Sequence, residues 1–424
     1  MKIGICGLGT VASGVVNIFR RNGELLAERA GSELVLAHIG ARRDNPNCDV
    51  SGIEVSRDIF AVADDDNVDV VVELIGGTTT ALELVMRAIE NGKHVVTANK
   101  ALIATHGNRI LKAADEKNVR VAFEAAVAGG IPIIKALREG LAANRIQSIA
   151  GIINGTGNFI LTEMRDKGRS FDEALADAQA LGYAEADPTF DVEGIDAAQK
   201  LVILSALAFA TGFDADACFT EGISALEVED IKHAESMGYR VKHLGIAKHT
   251  STGLELRVHP CLVPEAELLA SVSGVMNAVA VQGDAVGKTL YYGPGAGSEP
   301  TASAVIADLV DLASALVAGQ EKFSANRLIE DVPIREMTSV QTAWYLRVPV
   351  EDKAGVLSDI TQTLSDSGIS IQAMRQPDST NGQAQLILTT NKVAQHACDE
   401  ALEKIRALDC VVGEIAAIRI ELFD

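Results

Sequence analysis

At 424 residues the chain is too long for a single hydrophobic core; it implies two to four domains, with three as the starting expectation. A hydrophobic share of 48% against 22% charged residues excludes a fibrous or extensively disordered chain. A formal net charge of -21 argues against binding to phosphate backbones or anionic membranes, both of which need clustered Lys and Arg. The cysteines (Cys6, Cys48, Cys218, Cys261, Cys398 and Cys410) form no CxxC pair, so neither a zinc knuckle nor a disulfide framework is indicated. The opening "MKIGICGLG" enters a strand-like run without a charged leader, and no apolar run approaches the ~20 residues that span a bilayer. A cytoplasmic protein acting on small molecules is the expectation.

In chain order, "KIGIC", "LVLAHIG", "VDVVVELIG", "HVVTAN" and "VRVAFEAA" read as strands, separated by amphipathic stretches such as "ALELVMRAIENGK" and "NRILKAADEKN". Alternating strands and helices predict a doubly wound parallel sheet over residues 1–130. Helical stretches then follow ("IIKALREGLAAN", "NFILTEMRDKG", "SFDEALADAQALG", "IDAAQKLVILSALAFATG"), succeeded by strand-like runs ("VKHLGIAKHT", "GLELRVHPCLV", "AVAVQGD", "TLYYG") and an alanine-rich helix. This is an α+β domain over 131–320. Residues 321–342 read as a linker, and 343–424 as a small ferredoxin-like domain of strand, helix, strand, strand, helix, strand.

Two constellations carry chemistry. "GLGTVASG" places Gly7, Gly9 and Ala12 in a G-x-G-x-x-A pattern between the first strand and its helix, so a pyrophosphate meets the backbone around Thr10 and Val11 at the positive helix end. After the second strand, "GARRDN" offers Arg42 and Arg43 to a 2′-phosphate, favouring NADP, while Asp44 leaves NAD open. Thr78 in "LIGGTTT" and Lys100 in "VVTANK" end further strands facing the same crevice, though Lys100 is also read as a simple turn cap. The second constellation is "GYAEADPTFDVEGIDAAQK". Asp196 and Lys200 are four apart and share a helix face, and the apolar run "LVILSALAFA" behind them buries that helix. A lysine among carboxylates is suited to donate a proton to an alkoxide developing on a carbonyl, and the carboxylates to hold a substrate's ammonium group.

Together these suggest hydride transfer between a nicotinamide and a small amino-bearing carbonyl or alcohol. The segments "GLGTVASG", "ELIGG", "VVTANKALIA", "FEAAVAGGIPII", "GIINGTGNFI", "GYAEADPTFDVEGIDAAQKLVIL" and "YYGPGAGSEPTASAVIADLVDL" resemble homoserine dehydrogenases of the monofunctional bacterial type. The resemblance implies NAD(P)H-dependent reduction of L-aspartate 4-semialdehyde to L-homoserine, on the route to threonine and methionine. It implies Lys200 as acid/base, assisted by Lys100. Substrate would be held by Glu185 and Asp196, with Asp191 in support, and Gly182 and Gly297 would close over the cofactor. A sodium site is implied at Glu124, Val127, Gly129 and Ile131. The C-terminal stretch "LRVPVEDKAGVLSDITQTLSDSGISIQAMRQ" resembles an ACT regulatory domain, implying threonine as effector near Asp352, Ala354, Gly355, Ile369 and Ser370, and a homodimer or homotetramer. A purely structural appendage is the simpler reading of that module. Another amino-acid pathway dehydrogenase, or a non-enzymatic sensor of dinucleotide and amino acid, are the competing readings of the whole.

Overall fold

The computed structural model describes residues 1–320, 332–377 and 382–423, so that part of the expected linker, 321–331, lies outside the described residues. The chain forms two compact units and alternates between them. Met1–Gly155, Asp196–Cys218 and Val275–Val332 make the first; Thr156–Ile195, Phe219–Gly274 and Pro333–Asp424 make the second.

The first unit begins with β1 (Lys2–Cys6), α1 (Thr10–Ala30), β2 (Val35–Gly40), β3 (Glu54–Ser56), α2 (Phe60–Asp64), β4 (Val70–Glu73), α3 (Thr79–Glu90), β5 (His94–Thr97), α4 (Lys100–Lys117) and β6 (Val121–Ala122). The strands are parallel in the order β3-β2-β1-β4-β5-β6, the doubly wound arrangement that alternation in the sequence predicts. Strands flanked on both faces by helices need apolar side chains on both faces, and every residue of β4 is buried. The order reverses between β1 and β4, and the crevice beyond their carboxyl ends is where this topology binds ligands.

Next come α5 (Ile133–Lys135), which continues into a π turn, and β7 (Ile146–Ile152). The second unit receives α6 (Gly155–Lys167), α7 (Phe171–Ala180) and α8 (Thr189–Val192). α9 (Ile195–Phe209) returns the chain to the first unit; β8 (Phe219–Thr220), α10 (Val228–Ser236) and the long hairpin β9 (Tyr239–Thr250) and β10 (Gly253–Pro264) belong to the second. The first unit is completed by β11 (Met276–Gly283), β12 (Gly287–Pro294) and α11 (Ser298–Val317), with β7, β11 and β12 forming an antiparallel ladder.

α11 has 20 residues and by length and composition alone could cross a membrane, although Glu299, Asp308 and Asp311 interrupt its apolar run. Half of that apolar window is buried: Ala302, Val305, Ile306, Leu309 and Leu312 join Ile3, Ile5, Val15 and Val16 in the core under α1. Its apolarity therefore serves a protein interior.

The second unit ends with β13 (Gln341–Glu351), α12 (Val356–Asp366), β14 (Ile371–Arg375), β15 (Gln383–Thr390), β16 (Val393–Ala394), α13 (Gln395–Arg406) and β17 (Ala416–Ile420). The order β17-β13-β15-β14, with α12 and α13 closing one core over Trp344, Leu346, Ile360 and Leu402, is the expected ferredoxin-like module. This module is stitched to the rest of its unit. β17 runs parallel to β10, and the buried Asp230 of α10 accepts from Tyr345 Oη at 2.9 Å and from both Nε and Nη2 of Arg347 at 2.6 and 2.9 Å. A bidentate guanidinium on a buried carboxylate fixes both partners, and it holds α10 against β13.

Candidate active site

α9 reads "IDAAQKLVILSALAF", apolar almost all round, and it is buried accordingly. Its first turn carries Asp196, 4% exposed, and one turn later Lys200, 9% exposed. Lys200 Nζ donates to Asp196 Oδ2 at 2.7 Å and to the Ile153 carbonyl at 2.7 Å. Asn154 Nδ2 donates to the same carboxylate oxygen at 2.8 Å. Lys100 Nζ lies 3.1 Å from the other oxygen, Oδ1, so the carboxylate sits between two ammonium groups. Burial alone would raise the Asp196 pKa; the charges of Lys200 and then Lys100, with the hydrogen bonds, more than offset it and hold the acid at about 2.

Lys100 opens α4, where a cation faces the positive end of the helix dipole. Asp196 offsets that unfavourable placement, and the Asn99 side chain caps the helix by accepting from Leu102 N at 3.0 Å. Lys100 is thus engaged with Asp196 and is not a simple surface turn cap.

The glycine turn lies where the pattern places it. Gly7 has φ +101° and donates to the Gly40 carbonyl at 2.8 Å, and the first helical bond of α1 runs from Ser13 N to Gly9 O. The amides of Thr10, Val11 and Ala12 precede that bond and have no partner within the helix, which is the donor set an anion takes. A Cβ on Gly9 would meet nothing within 4 Å, so the backbone there is open to close approach. A cavity of about 640 Å³ extends from Gly7 and Gly9 past Gly40, Arg42, Arg43 and Asp44 to Gly76 and Thr80. Thr80 lines this cavity, while Thr78 stands at the start of α3. Asp44 is occupied, its Oδ1 accepting from Arg57 Nη2 at 2.8 Å. These residues fit a dinucleotide: small residues at the turn, free amides at a helix start and guanidinium groups at the far end of the cavity.

Gly297 precedes α11 with φ +123°, and Ser298 Oγ donates to Thr10 O at 2.7 Å, so this loop lies against the first turn of α1. The same loop touches the segment 127–131, where Gly130 N donates to Pro294 O at 3.0 Å. That segment turns through Ala128 (φ +53°) and Gly129 (φ +36°), and Val127 and Ile131 are buried. Glu124, 1% exposed, accepts from the amides of Ile134 and Lys135 at 2.9 and 2.8 Å, and its own amide donates to Asp308 Oδ2. Burial and the neighbouring Asp308 push Glu124 up to about 7, and burial pushes Asp308 up to about 6. Two desolvated carboxyl groups meet in this corner, oxygen donors of the kind a small hard cation takes.

Gly182, Glu185 and Asp191 belong to the second unit. Gly182 has φ +74° in the turn that ends α7, Glu185 is exposed with its carbonyl accepting from Gln179 Nε2 at 3.0 Å, and Asp191 is half-buried in α8. The neighbouring Asp187 is committed to its own turn, accepting from Thr189 N and Oγ1 at 3.1 and 2.6 Å. In the C-terminal module, Asp352, Ala354 and Gly355 form the exposed loop before α12, with φ +98° at Gly355. Ile369 is buried and Ser370 exposed at the entry to β14.

Sequence reasoning missed the Ile153 carbonyl and Asn154. It also missed Glu73, Thr97 and Asn99, which hold the ends of β4 and β5. Asn99 alone had a local signal, an N-cap residue immediately before a helix.

The chain matches three family models: "Homoserine dehydrogenase, NAD binding domain" over residues 7–124, "Homoserine dehydrogenase" over 132–310 and "ACT domain" over 344–410. The homoserine dehydrogenase of Pseudomonas aeruginosa is 55% identical over 429 residues, covering 99% of each chain, and that of Neisseria gonorrhoeae is 49% identical over 436 residues, covering 99% of this chain and 98% of its own. The crystal structure of a homoserine dehydrogenase from Thiobacillus denitrificans superposes with a TM-score of 0.94 at 53% identity, covering 99% of this chain and 98% of its own. A hyperthermophilic archaeal homoserine dehydrogenase in complex with NADPH matches at 26% identity and a TM-score of 0.61, covering 73% of this chain and 97% of its own. With its dinucleotide-binding sheet, buried lysine–carboxylate cluster and C-terminal ACT domain, the chain belongs to the homoserine dehydrogenase family of oxidoreductases.

Proposed function

We propose that this enzyme reduces L-aspartate 4-semialdehyde to L-homoserine with NADPH, on the route to threonine and methionine, and that Lys200 is its proton donor. The observation that carries the reading is the cluster at the mouth of α9, where Asp196 stands between Lys200 and Lys100. An ammonium fixed by a carboxylate and a carbonyl is pre-aimed, and a donor so placed needs no reorganisation when negative charge develops on a substrate oxygen. When bound, the reduced nicotinamide supplies the hydride to the carbonyl carbon. Lys200 gives its proton to the oxygen, and Asp196 holds the ammonium in position. Lys100, at the end of β5 on the cofactor side, steadies Asp196 and assists the transfer. Glu185 and Asp196 are read as holding the substrate, with Asp191 in support, and Gly182 and Gly297 as closing over the cofactor.

NADP is favoured over NAD because Arg42 and Arg43 line the cavity and Arg57 occupies Asp44, the one acidic group suited to a ribose hydroxyl. The 127–131 segment with Glu124 is read as a sodium site made largely of carbonyl oxygens. The ACT module is read as the seat of feedback inhibition by threonine at Asp352, Ala354, Gly355, Ile369 and Ser370. The enzyme is read as a cytoplasmic homodimer or homotetramer; all six cysteines are free thiols, in keeping with a reducing compartment.

The test follows NADPH absorbance with L-aspartate 4-semialdehyde for wild type and Lys200→Ala. Turnover in the wild type and a loss of about 10²–10³-fold in kcat in the variant are expected, the range for a missing general acid. No turnover in the wild type overturns the reaction, and an unchanged kcat in the variant overturns the role of Lys200.

A further inference from the structure

We infer that Glu73 and Thr97 are positioning residues that lock the cofactor-side loop 74–77 and Lys100 into one geometry. Glu73 ends β4, wholly buried at 0% exposure, with Cys6 and Thr97 as its register neighbours on β1 and β5. It therefore stands at the strand ends beside the crevice where the sheet order reverses. Among the described residues no ion pair reaches this carboxylate. Its Oε1 accepts from the amides of Ile75 and Gly76 at 2.9 and 3.1 Å, and its Oε2 accepts from Thr97 Oγ1 at 2.6 Å.

The Thr97 hydroxyl has its direction fixed. It accepts from Asn99 N at 2.9 Å, so its own hydrogen goes to Glu73. The Asn99 side chain then closes the ring: Nδ2 donates to the Gly77 carbonyl at 2.7 Å, and Oδ1 caps α4 at Leu102 N. Lys100 is the next residue, and its Nζ meets Asp196.

A turn cap alone would need only the first oxygen of Glu73. The second oxygen, and the return of Asn99 to Gly77, tie two successive strand ends into one hydrogen-bonded ring. The loop so held contains Gly76 and Gly77, both at φ +72°; Gly76 lines the cofactor cavity, and the helix start so held carries Lys100. A network of this kind is all-or-none, since a half-satisfied buried carboxylate is costly. The ring thus couples the loop under the dinucleotide to the ammonium beside Asp196.

This inference rests on the roles given above to NADPH and Lys100, and the experiment separates the two. Thr97→Val keeps the side-chain shape but removes the hydroxyl; Thr97→Ser keeps the hydroxyl; Glu73→Gln keeps the size but places an N–H donor in the ring. Each is compared with wild type for kcat, for NADPH affinity by fluorescence titration and for thermal midpoint, and Thr97→Val is repeated in a Lys100→Ala background. Thr97→Ser should stay within about threefold of wild type in kcat and NADPH affinity. Thr97→Val and Glu73→Gln should each lose about tenfold or more in kcat, as small misplacements in active sites do, together with NADPH affinity. In the Lys100→Ala background the kcat effect of Thr97→Val should shrink.

The inference is overturned if Thr97→Val keeps wild-type kcat and NADPH affinity, or lowers only the thermal midpoint. It is also overturned if Thr97→Val costs the same factor in kcat with and without Lys100. If Lys100→Ala leaves kcat unchanged, the reading of Lys100 fails, and NADPH affinity alone then judges the loop. If Lys100→Ala abolishes turnover, the contrast between Thr97→Val and Thr97→Ser in kcat and NADPH affinity decides.

Discussion

The charge arrangement around Asp196 makes the acid the keystone of the lysine pair. Lys200 touches Asp196 and one carbonyl and is nearly buried, so removing the carboxylate leaves an ammonium with little solvent to replace it. Asp196→Asn should cost on the order of 3 kcal/mol in stability, the scale for breaking one side of a buried pair, along with most of the turnover. Urea unfolding and kcat measured on the same preparation check both. His243 on β9 gives a second residue-scale prediction. Burial holds it neutral down to about 4, against 6.5 for a free imidazole. The unfolded chain therefore binds the proton first, so this contribution to stability is present above pH 6.5 and is lost as pH falls through 4, a change of about 3 kcal/mol. The buried His259, whose pKa is likewise well lowered by burial, adds to the same acid-side loss. In urea titrations between pH 7 and 4, His243→Gln should show a smaller loss than wild type. At this scale the sequence was legible where partners are local. Asp196 and Lys200 declare themselves by a spacing of four, whereas Asn154 and the Ile153 carbonyl lie 42 and 47 residues from their partners and carry no periodic signal.

Among the elements, α1 and α11 are the pair on which the nucleotide site depends. Gly14 on α1 packs so tightly that a Cβ there would come within 2.6 Å of the Ser298 carbonyl oxygen. Gly14→Ala should push the loop 295–298 away from the first turn of α1, with about 1–3 kcal/mol of overpacking cost and weaker NADPH binding. Thermal midpoint and fluorescence titration measure the two effects. Long, strongly patterned elements were readable from periodicity, among them α3, α9 and the β9–β10 hairpin. β7, β3 and α10 escaped it. β3, "EVS", is too short to show a period, and "IQSIAGI" of β7 shows no strict alternation of polar and apolar side chains. α10 spans nine residues whose burial is dictated by Tyr345 and Arg347, more than a hundred residues further on, a tertiary constraint invisible in "VEDIKHAES".

For the whole molecule, the C-terminal ACT module is a structural member of the second unit. Ala343, Tyr345, Ile387, Ile418 and Ile420 share one core with Ile160, Leu161, Ile231 and Leu262, and β17 extends the ladder of β10. Truncation after residue 332 should therefore expose this core and abolish cooperative unfolding of the second unit, as seen by limited proteolysis and circular dichroism. Effector sensitivity is better probed in the full chain with Asp352→Ala, since Asp352 is exposed and its replacement disturbs no core; loss of threonine inhibition at unchanged basal kcat is the expected result. That the segments of the two units alternate along the chain was not legible, because composition and period describe neighbours in sequence and are blind to a chain that leaves a core and comes back to it.

That alternation also sets a timetable for synthesis. The helix α11 that covers Ile3, Ile5, Val15 and Val16 is encoded some three hundred residues after them. A ribosome working from the N-terminus releases the parallel sheet long before its cover exists, so the nascent chain carries an uncovered apolar face through most of its elongation. The nucleotide-binding unit, begun first, is complete only once its last segment, Val275–Val332, has been made.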